Sequence, residues 1–411
     1  MADCPGLLHL AQMADGGLAR LRVPGGLLSA AQARAVADAA EALGSGLVDL
    51  TNRANLQIRG LSRDAGGDLA EQLSAAAFAF HGEADRRRNI LLDPFSGLDP
   101  REARDLRPLA QALDEALIGA AWIGRLSPKF CFVLDGGGES GVAATPSDVT
   151  LLATGQGIVV SAAGLASLAL SEEDALSAAL AVAACAADVG PDARATGIPE
   201  TAMRAALGSE RGPAGAAGAA AAPLRPRHGA MFPSGGAVAI SIPAPVGRLD
   251  AGMLRFLADV AETEGRGRMI LAPWSAVVLP RVRPERAARV LAASEAAGFV
   301  PVAVADRLSV VACSGAPACE RAREPARALG AALLALAAAE PGRLPEGRRR
   351  VHLSACPKGC AGSAPADLLL LGASERSGWT VHAGGAPRRP GPALDRLESA
   401  GPAAVLAQLA D

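Results

Sequence analysis

Hydrophobic and polar residues alternate near the start of the chain in a way that predicts a β-strand. Leu21 and Val23 would face a core, while Arg20 and Arg22 would face solvent, because side chains alternate across the two faces of a strand. A helix is predicted to follow, from Leu28 to Gly44. The chain therefore opens with a strand and a helix that could pack against each other.

The predicted helix has recognisable ends. Ser29 and Gln32, three residues later, form a capping box at its start. At its end, Gly44 can take the left-handed conformation that often follows a last helical turn. A second strand is predicted at Leu47–Leu50, followed by a turn and a third strand. Strand–helix–strand–strand with the helices on one face predicts a ferredoxin-like α+β sandwich.

The same pattern occurs a second time, which indicates an internal duplication. The segment GLARLRVP from Gly17 corresponds to GAVAISIP from Gly236, and a second strand is again predicted at Met269–Leu271. Within the two helices the identical positions are Arg34, Ala37, Asp38, Ala40, Glu41 and Gly44, which match Arg255, Ala258, Asp259, Ala261, Glu262 and Gly265. Chance rarely produces that many matches in one register.

The regions that follow the two units also correspond. Residues 89–93 (NILLD) align with residues 309–313 (SVVAC), which places Asp99 opposite Cys319. The predicted fold is α+β, with the order A–B–A′–B′: two ferredoxin-like halves and two larger α/β domains. The predicted bounds are 15–80 and 234–303 for the ferredoxin-like halves, 85–190 and 304–411 for the larger domains, and 191–233 for a linker rich in alanine, glycine and proline.

Charge and composition exclude some classes of partner. The 411 residues carry a formal net charge of −2, so no overall basic balance favours nucleic acid or an anionic membrane. No stretch reaches the roughly 20 apolar residues of a membrane helix, and the run Ala175–Ala187 is better explained as a buried helix. Without a recognisable export signal we expect the cytoplasm, where cysteines are thiols or metal ligands.

Four of the seven cysteines form two pairs. Five residues separate Cys313 from Cys319, and three separate Cys356 from Cys360. Thiolates suit zinc or iron–sulfur clusters, but zinc sites usually space paired cysteines by about two to four residues. The wider first loop favours a [4Fe–4S] cluster, with zinc or four unrelated buried thiols as alternatives. His352 either supports the cluster from behind its ligands or is exposed to solvent.

A polar segment between Thr51 and Gly60 is a candidate binding surface. As a strand, it would place Arg53, Asn55, Gln57 and Arg59 on one side. An ordinary half-buried strand with a solvated face is the alternative. The corresponding positions of the second copy are nearly all apolar: Trp274, Ala276, Val278 and Pro280. Only the first copy kept a cationic face, which favours one asymmetric site.

Together these motifs resemble the sulfite and nitrite reductase superfamily, which is also built as an A–B–A′–B′ duplication. The resemblance implies that the ligands of a [4Fe–4S] cluster are Cys313, Cys319, Cys356 and Cys360, with Cys360 bridging to siroheme iron in the siroheme members. It also implies a tetrapyrrole whose carboxylates are held by Arg53, and catalytic and substrate-binding roles for Arg88 and Lys129. The remaining residues expected to bind substrate are Asn55, Gln57 and Arg59.

One departure points to a branch of that superfamily. The reductases carry a second lysine two positions after the first, and here that position is Cys131. With the motifs of residues 4–26, 366–372 and 378–381, the chain resembles the precorrin-3B synthase branch. This resemblance implies O2-dependent hydroxylation and γ-lactone formation on precorrin-3A, an acidic tetrapyrrole, in aerobic cobalamin biosynthesis.

The resemblance also implies how electrons arrive. They would originate from NADH and pass through an external electron-donor reductase, since no Rossmann glycine fingerprint follows a predicted strand. A mononuclear non-haem iron is a further cofactor that the branch suggests. Its unassigned candidate ligands are His81, Glu83, Asp85, Asp93 and Asp99. The alternatives are a siroheme-dependent sulfite or nitrite reductase and, from another class, a non-catalytic tetrapyrrole-binding or electron-carrier protein.

Overall fold

A computed structural model describes residues 5–78, 80–208, 224–373 and 377–409 of the chain. Its first half contains these strands: β1 Ala11–Met13, β2 Gly16–Leu21, β3 Leu27–Ser29, β4 Leu47–Leu50, β5 Leu56–Leu61, β6 Ile90–Leu92, β7 Phe132–Asp135, β8 Val149–Thr154, β9 Gly157–Ala162 and β10 Leu165–Leu170. Its helices are α1 Ala30–Leu43, α2 Gly66–Ser74, α3 Arg107–Gly119, α4 Glu172–Val189 and α5 Glu200–Ala206.

The second half repeats most of this order. Its strands are β11 Gly229–Ser234, β12 Ala237–Pro243, β13 Arg248–Asp250, β14 Arg268–Ala272, β15 Ala276–Val282, β16 Leu308–Ala312, β17 Arg349–Ser354, β18 Ala366–Gly372, β19 Trp379–Ala386, β20 Arg389–Pro390 and β21 Ala393–Leu397. Its helices are α6 Ala251–Glu264, α7 Pro284–Ala296, α8 Val302–Ala305, α9 Ala326–Ala339 and α10 Pro402–Ala407.

The start of α1 confirms the predicted capping box. The Ser29 side chain accepts a hydrogen bond from the Gln32 amide at 3.1 Å, and the Gln32 side chain accepts from the Ser29 amide at 2.9 Å. In the second copy Asp250 caps α6, and its carboxylate accepts from the Met253 amide at 2.7 Å. Different cap residues therefore satisfy the same free amide groups at equivalent helix starts.

The ends of α1 and α6 fall where predicted, but the left-handed glycines come two residues later. Gly44 has a φ of −135°, whereas Gly46 and Gly267 have φ values of 74° and 69°. The amide of Gly46 donates to Ala40 O at 2.8 Å, which closes the last turn. Gly44 has a different reason to be glycine: a Cβ there would lie 2.5 Å from the carbonyl oxygen of Arg59.

The two ferredoxin-like halves exchange strands. One sheet has the order β1-β2-β5-β4-β13 and the other has the order β11-β12-β15-β14-β3, so each half lends one edge strand to the other's sheet. Leu28 on β3, for example, is fully buried and pairs with Met269 on β14. One hydrophobic core extends through both halves. The prediction of a duplicated α+β fold is confirmed.

Reciprocal ion pairs join α1 and α6, which pack against each other. Arg34 on α1 binds Asp259 and Glu262 on α6, each at 2.6 Å. Their equivalents from the other copy make the same pattern: Arg255 on α6 binds Asp38 at 2.7 Å and Glu41 at 2.5 Å on α1. The side chains are exposed, so their contribution to the free energy of unfolding is small, but the pattern reports two-fold pseudo-symmetry.

The two larger domains share a sheet topology. In the first, β6, β7 and β8 are parallel, and β9 and β10 add antiparallel strands. In the second, β16, β17 and β18 are parallel, and β19 adds an antiparallel strand. Each sheet has its own hydrophobic core. Helix α4 confirms the prediction for the alanine-rich run, and no described helix is long and apolar enough to span a bilayer.

Part of the predicted linker is ordered secondary structure. Residues 191–233 include helix α5 and most of strand β11, and Met203 on α5 is buried against the core of the first larger domain. Composition shows that an alanine-rich sequence forms a helix readily. It does not show that one face of α5 packs against a core. The Gly-, Ala- and Pro-rich run at 212–223 lies outside the described residues. The predicted domain bounds remain predictions.

Candidate functional site

Two neighbouring parallel strands carry the four predicted cluster ligands to one edge of a sheet. Cys313 follows directly after β16, and Cys356 follows β17 after one intervening residue. Because β16 and β17 run parallel and pair with each other, their carboxyl ends lie side by side. Cys319 and Cys360 lie further along the same two loops. The sequence spacing thus becomes two adjacent loops, each with two thiols.

The thiols on these loops interact electrostatically. Burial raises the pKa of Cys313, and the neighbouring Cys360 and Cys356 raise it further, while amides of Ala355 and Gly315 lower it. Burial also raises the pKa of Cys360, with Lys358 lowering it and Cys356 and Cys319 raising it. The pKa values of Cys313 and Cys360 thus respond to thiols on both loops, which places the two loops next to each other.

The backbone around the cysteines suits an iron–sulfur cluster. The Ala355 amide donates to Cys313 Sγ at 3.3 Å, the type of N–H···S contact that stabilises thiolate ligands. Gly315 has a φ of 67°, and a Cβ there would lie 2.4 Å from the Ala326 nitrogen, so the loop needs a glycine. In the described part of the chain no three His, Cys, Asp or Glu side chains surround a single ion. A cubane binds each thiolate to a different iron, so its four ligands need not surround one ion.

The polar segment that was predicted as a strand begins with a turn instead. Thr51 Oγ1 accepts from the amides of Arg53 at 3.3 Å and Asn55 at 3.0 Å, and Ala54 has a φ of 52°. Strand β5 starts only at Leu56. A small hydroxyl residue that bonds the following backbone amides favours a turn over a strand. Arg53 therefore projects from a loop, not from the face of the sheet.

Arg53 points toward the residue that replaces the expected second lysine. Its Nη1 contacts Cys131 Sγ, and its Nη2 donates to Pro146 O at 3.1 Å. Cys131 is fully buried, which raises the pKa of its thiol, while Arg53 and Arg22 act in the opposite direction. Arg53 thus lies beside the Lys129–Cys131 segment, and its predicted role in binding a tetrapyrrole stays a prediction.

Arg22 also lies near Arg53 and Cys131. The alternation of its strand did not predict this position. Its Nη1 donates to Asn89 Oδ1 at 3.0 Å, and its Nη2 donates to the carbonyl oxygens of Arg86 and Pro128, each at 3.2 Å. Strand alternation assigned Arg22 to a solvated face. These three partners belong to the first larger domain, which therefore covers that face of the strand.

Asn55 and Arg59 are used inside the protein. Asn55 is buried, accepts from the Val23 amide at 2.9 Å and donates to Arg53 O at 3.1 Å, so it holds the turn that carries Arg53. Arg59 is also buried and binds Asp15 through two hydrogen bonds of 2.9 Å. Gln57 pairs with Arg20 across the strands when its amide is turned so that both groups are satisfied. These contacts support the fold, and the predicted roles of the three residues in substrate binding stay predictions.

Arg88 and Lys129 have contrasting environments. Arg88 forms a bidentate pair with Asp114, at 2.7 and 2.6 Å, and a longer bond to Asp85 at 3.3 Å. Burial lowers the pKa of Arg88, but these two carboxylates raise it more. Lys129 is exposed, and among the described residues its ammonium group has no ion pair. Lys129 is therefore available to an anionic ligand, whereas Arg88 would first have to leave Asp114.

The equivalent place in the second copy is filled with aromatic side chains. Trp274, which corresponds to Arg53, lies 5.7 Å from Phe95 between ring centroids, and Phe95 lies 5.0 Å from Phe232. These rings belong to a small separate hydrophobic core. The asymmetry predicted from the two sequences is thus visible in the packing: one copy offers polar side chains, and the other is closed by apolar ones.

The unassigned candidates for a mononuclear iron are engaged in local contacts. Asp93 accepts from the Phe95 amide at 2.9 Å, and Asp99 accepts from the amides of Arg101 and Glu139 at 2.9 and 2.8 Å. Glu83 pairs with Arg87 at 2.6 Å. Asp85 pairs with Arg88, and it also accepts from the His81 amide at 3.2 Å. No ligand set for such an iron emerges from the described residues.

His352 is buried on β17, so the alternative that it is exposed to solvent is wrong. Burial, together with the nearby Arg350, lowers its pKa to about 4, so the ring is neutral at pH 7. Neither ring nitrogen has a hydrogen-bond partner among the described residues. Because His352 alternates with Val351 and Leu353, it lies on the face of the sheet opposite to the main core of this domain.

Comparison with known proteins agrees with this architecture. Residues 11–76 and 233–297 each match the family described as nitrite/sulfite reductase ferredoxin-like half domain. The chain is 29% identical over 393 residues to precorrin-3B synthase of a Sinorhizobium species, which covers 92% of this chain and 82% of that relative. It is 28% identical over 399 residues to ferredoxin–nitrite reductase of Synechococcus elongatus, with 87% and 77% covered.

A solved structure shows the same fold. The NirA protein of Mycobacterium tuberculosis superposes with a TM-score of 0.73 at 18% identity, covering 93% of this chain and 78% of that one. The protein therefore has the duplicated fold of the nitrite and sulfite reductase superfamily, with two ferredoxin-like half domains. The resemblance to precorrin-3B synthase is confirmed over most of the chain.

We expect Cys319→Ser to lose the cluster. A serine hydroxyl is a poor ligand for iron compared with a thiolate, so iron and acid-labile sulfide should fall well below the wild-type content, and the EPR signal of a reduced cluster should disappear. Cys185→Ser, on helix α4 of the first larger domain, is the matched control and should retain both. A full cluster signal in Cys319→Ser would show that the ligand assignment is wrong.

Asp93 predicts a pH-dependent stability. Burial raises its pKa from 3.8 to about 7, with the Phe95 amide and Ser140 acting in the opposite direction. Since the folded pKa is the higher one, its stabilising contribution is present below about pH 4 and is lost as the pH rises through 7. Relative to wild type, Asp93→Asn should therefore gain stability between pH 4 and 8, on the order of 2–4 kcal/mol.

Urea unfolding at several pH values measures this difference. Asp64→Asn, at an exposed position, is the control. The difference between its free energy of unfolding and that of wild type should be similar at each pH. A flat difference between Asp93→Asn and wild type would contradict the expectation.

Proposed function

We propose that this protein is a precorrin-3B synthase, which catalyses O2-dependent hydroxylation and γ-lactone formation on precorrin-3A. The observation that supports it most is Cys131, a buried thiol beneath Arg53 at the position where the resembling reductases carry a second lysine. The similarity to precorrin-3B synthase over 92% of the chain points the same way. The substrate would lie between the cationic side chains of Arg53 and Lys129 and the two loops that carry the cysteines.

Arg53 would bind a carboxylate of the substrate. Pro146 O and Cys131 Sγ hold its guanidinium in one orientation, so less side-chain entropy is lost when an anion binds. Guanidinium groups pair bidentately with carboxylates, which suits a macrocycle fringed with acetate and propionate side chains. Lys129 would add a mobile positive charge from its exposed position.

Cys131 would make the pocket unsuited to reducing a small anion. Burial raises the pKa of its thiol, so the group is neutral at pH 7 and neither attracts an anion nor readily donates a proton. A lysine there would do both. The substitution therefore favours a pocket that binds the tetrapyrrole itself as the substrate.

Cys313, Cys319, Cys356 and Cys360 would hold a [4Fe–4S] cluster. When bound, such a cluster supplies single electrons, and these would come from NADH through an external electron-donor reductase. The amides of Ala355 and Gly315 would stabilise the thiolate of Cys313. The cytoplasm is the expected compartment, since thiolate ligands persist in a reducing environment.

A siroheme-dependent sulfite or nitrite reductase is the second candidate. The similarity to the nitrite reductase of Synechococcus elongatus over 87% of the chain favours it. In that case siroheme would occupy the pocket as a cofactor, next to Cys360. The two candidates differ in whether the tetrapyrrole is turned over or retained.

The distinguishing experiment is turnover of precorrin-3A by anaerobically purified protein supplied with a reductant. We expect product under air and none under nitrogen, because oxygen is a reactant. The absorption spectrum of the same preparation is the second readout. An intense siroheme spectrum together with reduction of sulfite or nitrite would overturn the synthase proposal in favour of the reductase.

Arg53→Ala should weaken binding of the tetrapyrrole by on the order of 1.5–3 kcal/mol, the usual range for a hydrogen bond to a charged group. Fluorescence or absorption titration under nitrogen measures the dissociation constant without turnover. Arg63→Ala, at an exposed position two residues after β5, is the matched control and should bind like wild type. Equal affinity of Arg53→Ala and wild type would remove Arg53 from the proposed site.

A further inference from the structure

One buried carboxylate joins three parts of the molecule near the cysteine loops. Asp49 on β4 is 2% exposed. It accepts from Arg248 at 2.7 and 3.0 Å and from Arg327 at 3.1 Å, and it lies 3.6 Å from Nη1 of Arg59. The three arginines come from β13, from α9 and from β5. Burial raises the pKa of Asp49, but these guanidiniums more than reverse the effect.

The charges in this network do not cancel. Arg59 also pairs with Asp15, so three guanidiniums share two carboxylates. One positive charge is therefore left over in a largely buried place. An uncompensated buried charge is unfavourable unless an opposite charge lies nearby.

Arg327 is the member of the network that reaches the cysteines. It is the second residue of α9, the helix that follows the loop with Cys313 and Cys319. The first cysteine loop packs on the start of this helix, since a Cβ on Gly315 would lie 2.4 Å from the nitrogen of Ala326, the residue before Arg327. Burial lowers the pKa of Arg327, while Asp49 and Cys313 act in the opposite direction. Its Nη1 donates to Asp49 and, at 3.2 Å, to Val246 O. Its Nε is buried and has no hydrogen-bond partner among the described residues.

We propose that Arg327 is a positioning residue for the cluster, whose buried charge stabilises the reduced state and so sets the reduction potential. This inference rests on the cluster of the proposed function. Four thiolates give the cluster a net negative charge, and reduction adds another. A fixed positive charge in a region of low dielectric favours the more negative state. Asp49 sets the strength of this effect, because it partly neutralises Arg327.

The test is an EPR-monitored redox titration of the anaerobically purified holoprotein. Arg327→Gln removes the charge and should lower the midpoint potential, by about tenfold in the one-electron reduction equilibrium, or about 59 mV. Arg327→Lys keeps the charge and should stay close to wild type. Asp49→Asn removes the neutralising carboxylate and should shift the potential the other way, which keeps the inference testable if Arg327→Gln does not fold.

Arg248→Gln is the matched control for a structural effect. It also removes a guanidinium from Asp49, so thermal stability should fall in both variants. Arg248 lies on β13 and not on the helix that follows the first cysteine loop, so its shift in potential should be much smaller. Equal shifts for Arg248→Gln and Arg327→Gln, or an unchanged potential in Arg327→Gln and Asp49→Asn, would overturn the inference. A wild-type protein without iron would instead overturn the cluster assignment, and this inference with it.

Discussion

The exchange of edge strands between the two ferredoxin-like halves is the constraint on which the other features depend. Because β13 pairs with β4 and β3 pairs with β14, neither half can complete its sheet alone. The pairing of β13 with β4 also brings Arg248 to Asp49, so that a buried ion network forms where the halves meet. Arg327 on helix α9 also binds Asp49, which joins the helix that follows the first cysteine loop to the first half.

The duplication creates two pseudo-equivalent positions in the fold, and different side chains occupy them. At one of them, Arg53 extends from a turn of the first ferredoxin-like half. The loops of the second larger domain carry the cysteines. On the other side, Trp274 replaces Arg53 and packs with Phe95 and Phe232. The loop with Phe95 carries Asp93 and Asp99 where its counterpart carries thiols. A rigid pseudo-symmetric frame therefore supports one polar site and one apolar core, because loops change more freely than the strands that carry them.

Local signals in the sequence predicted local features well. The capping box of α1, the repeat of the strand–helix unit and the pairing of cysteines by spacing all depend on nearby residues. The contacts of Arg59 and Arg88 could not be predicted in this way, because their partners Asp15, Asp49 and Asp114 are distant in sequence or belong to other elements. Arg22 shows the same limit: alternation assigns a side chain to a face of a strand, but it does not say what covers that face.

The reciprocal ion pairs between α1 and α6 have an evolutionary consequence. When residue i of one unit contacts residue j of another and j contacts i in return, the contact has the form of an isologous dimer. Arg34 with Asp259 and Arg255 with Asp38 follow that rule within a single polypeptide. Fusion of two copies of an ancestral gene needs no new interface in such a case. Once joined, the two copies could diverge independently. A symmetric pair of binding pockets could then become one pocket and one apolar cluster.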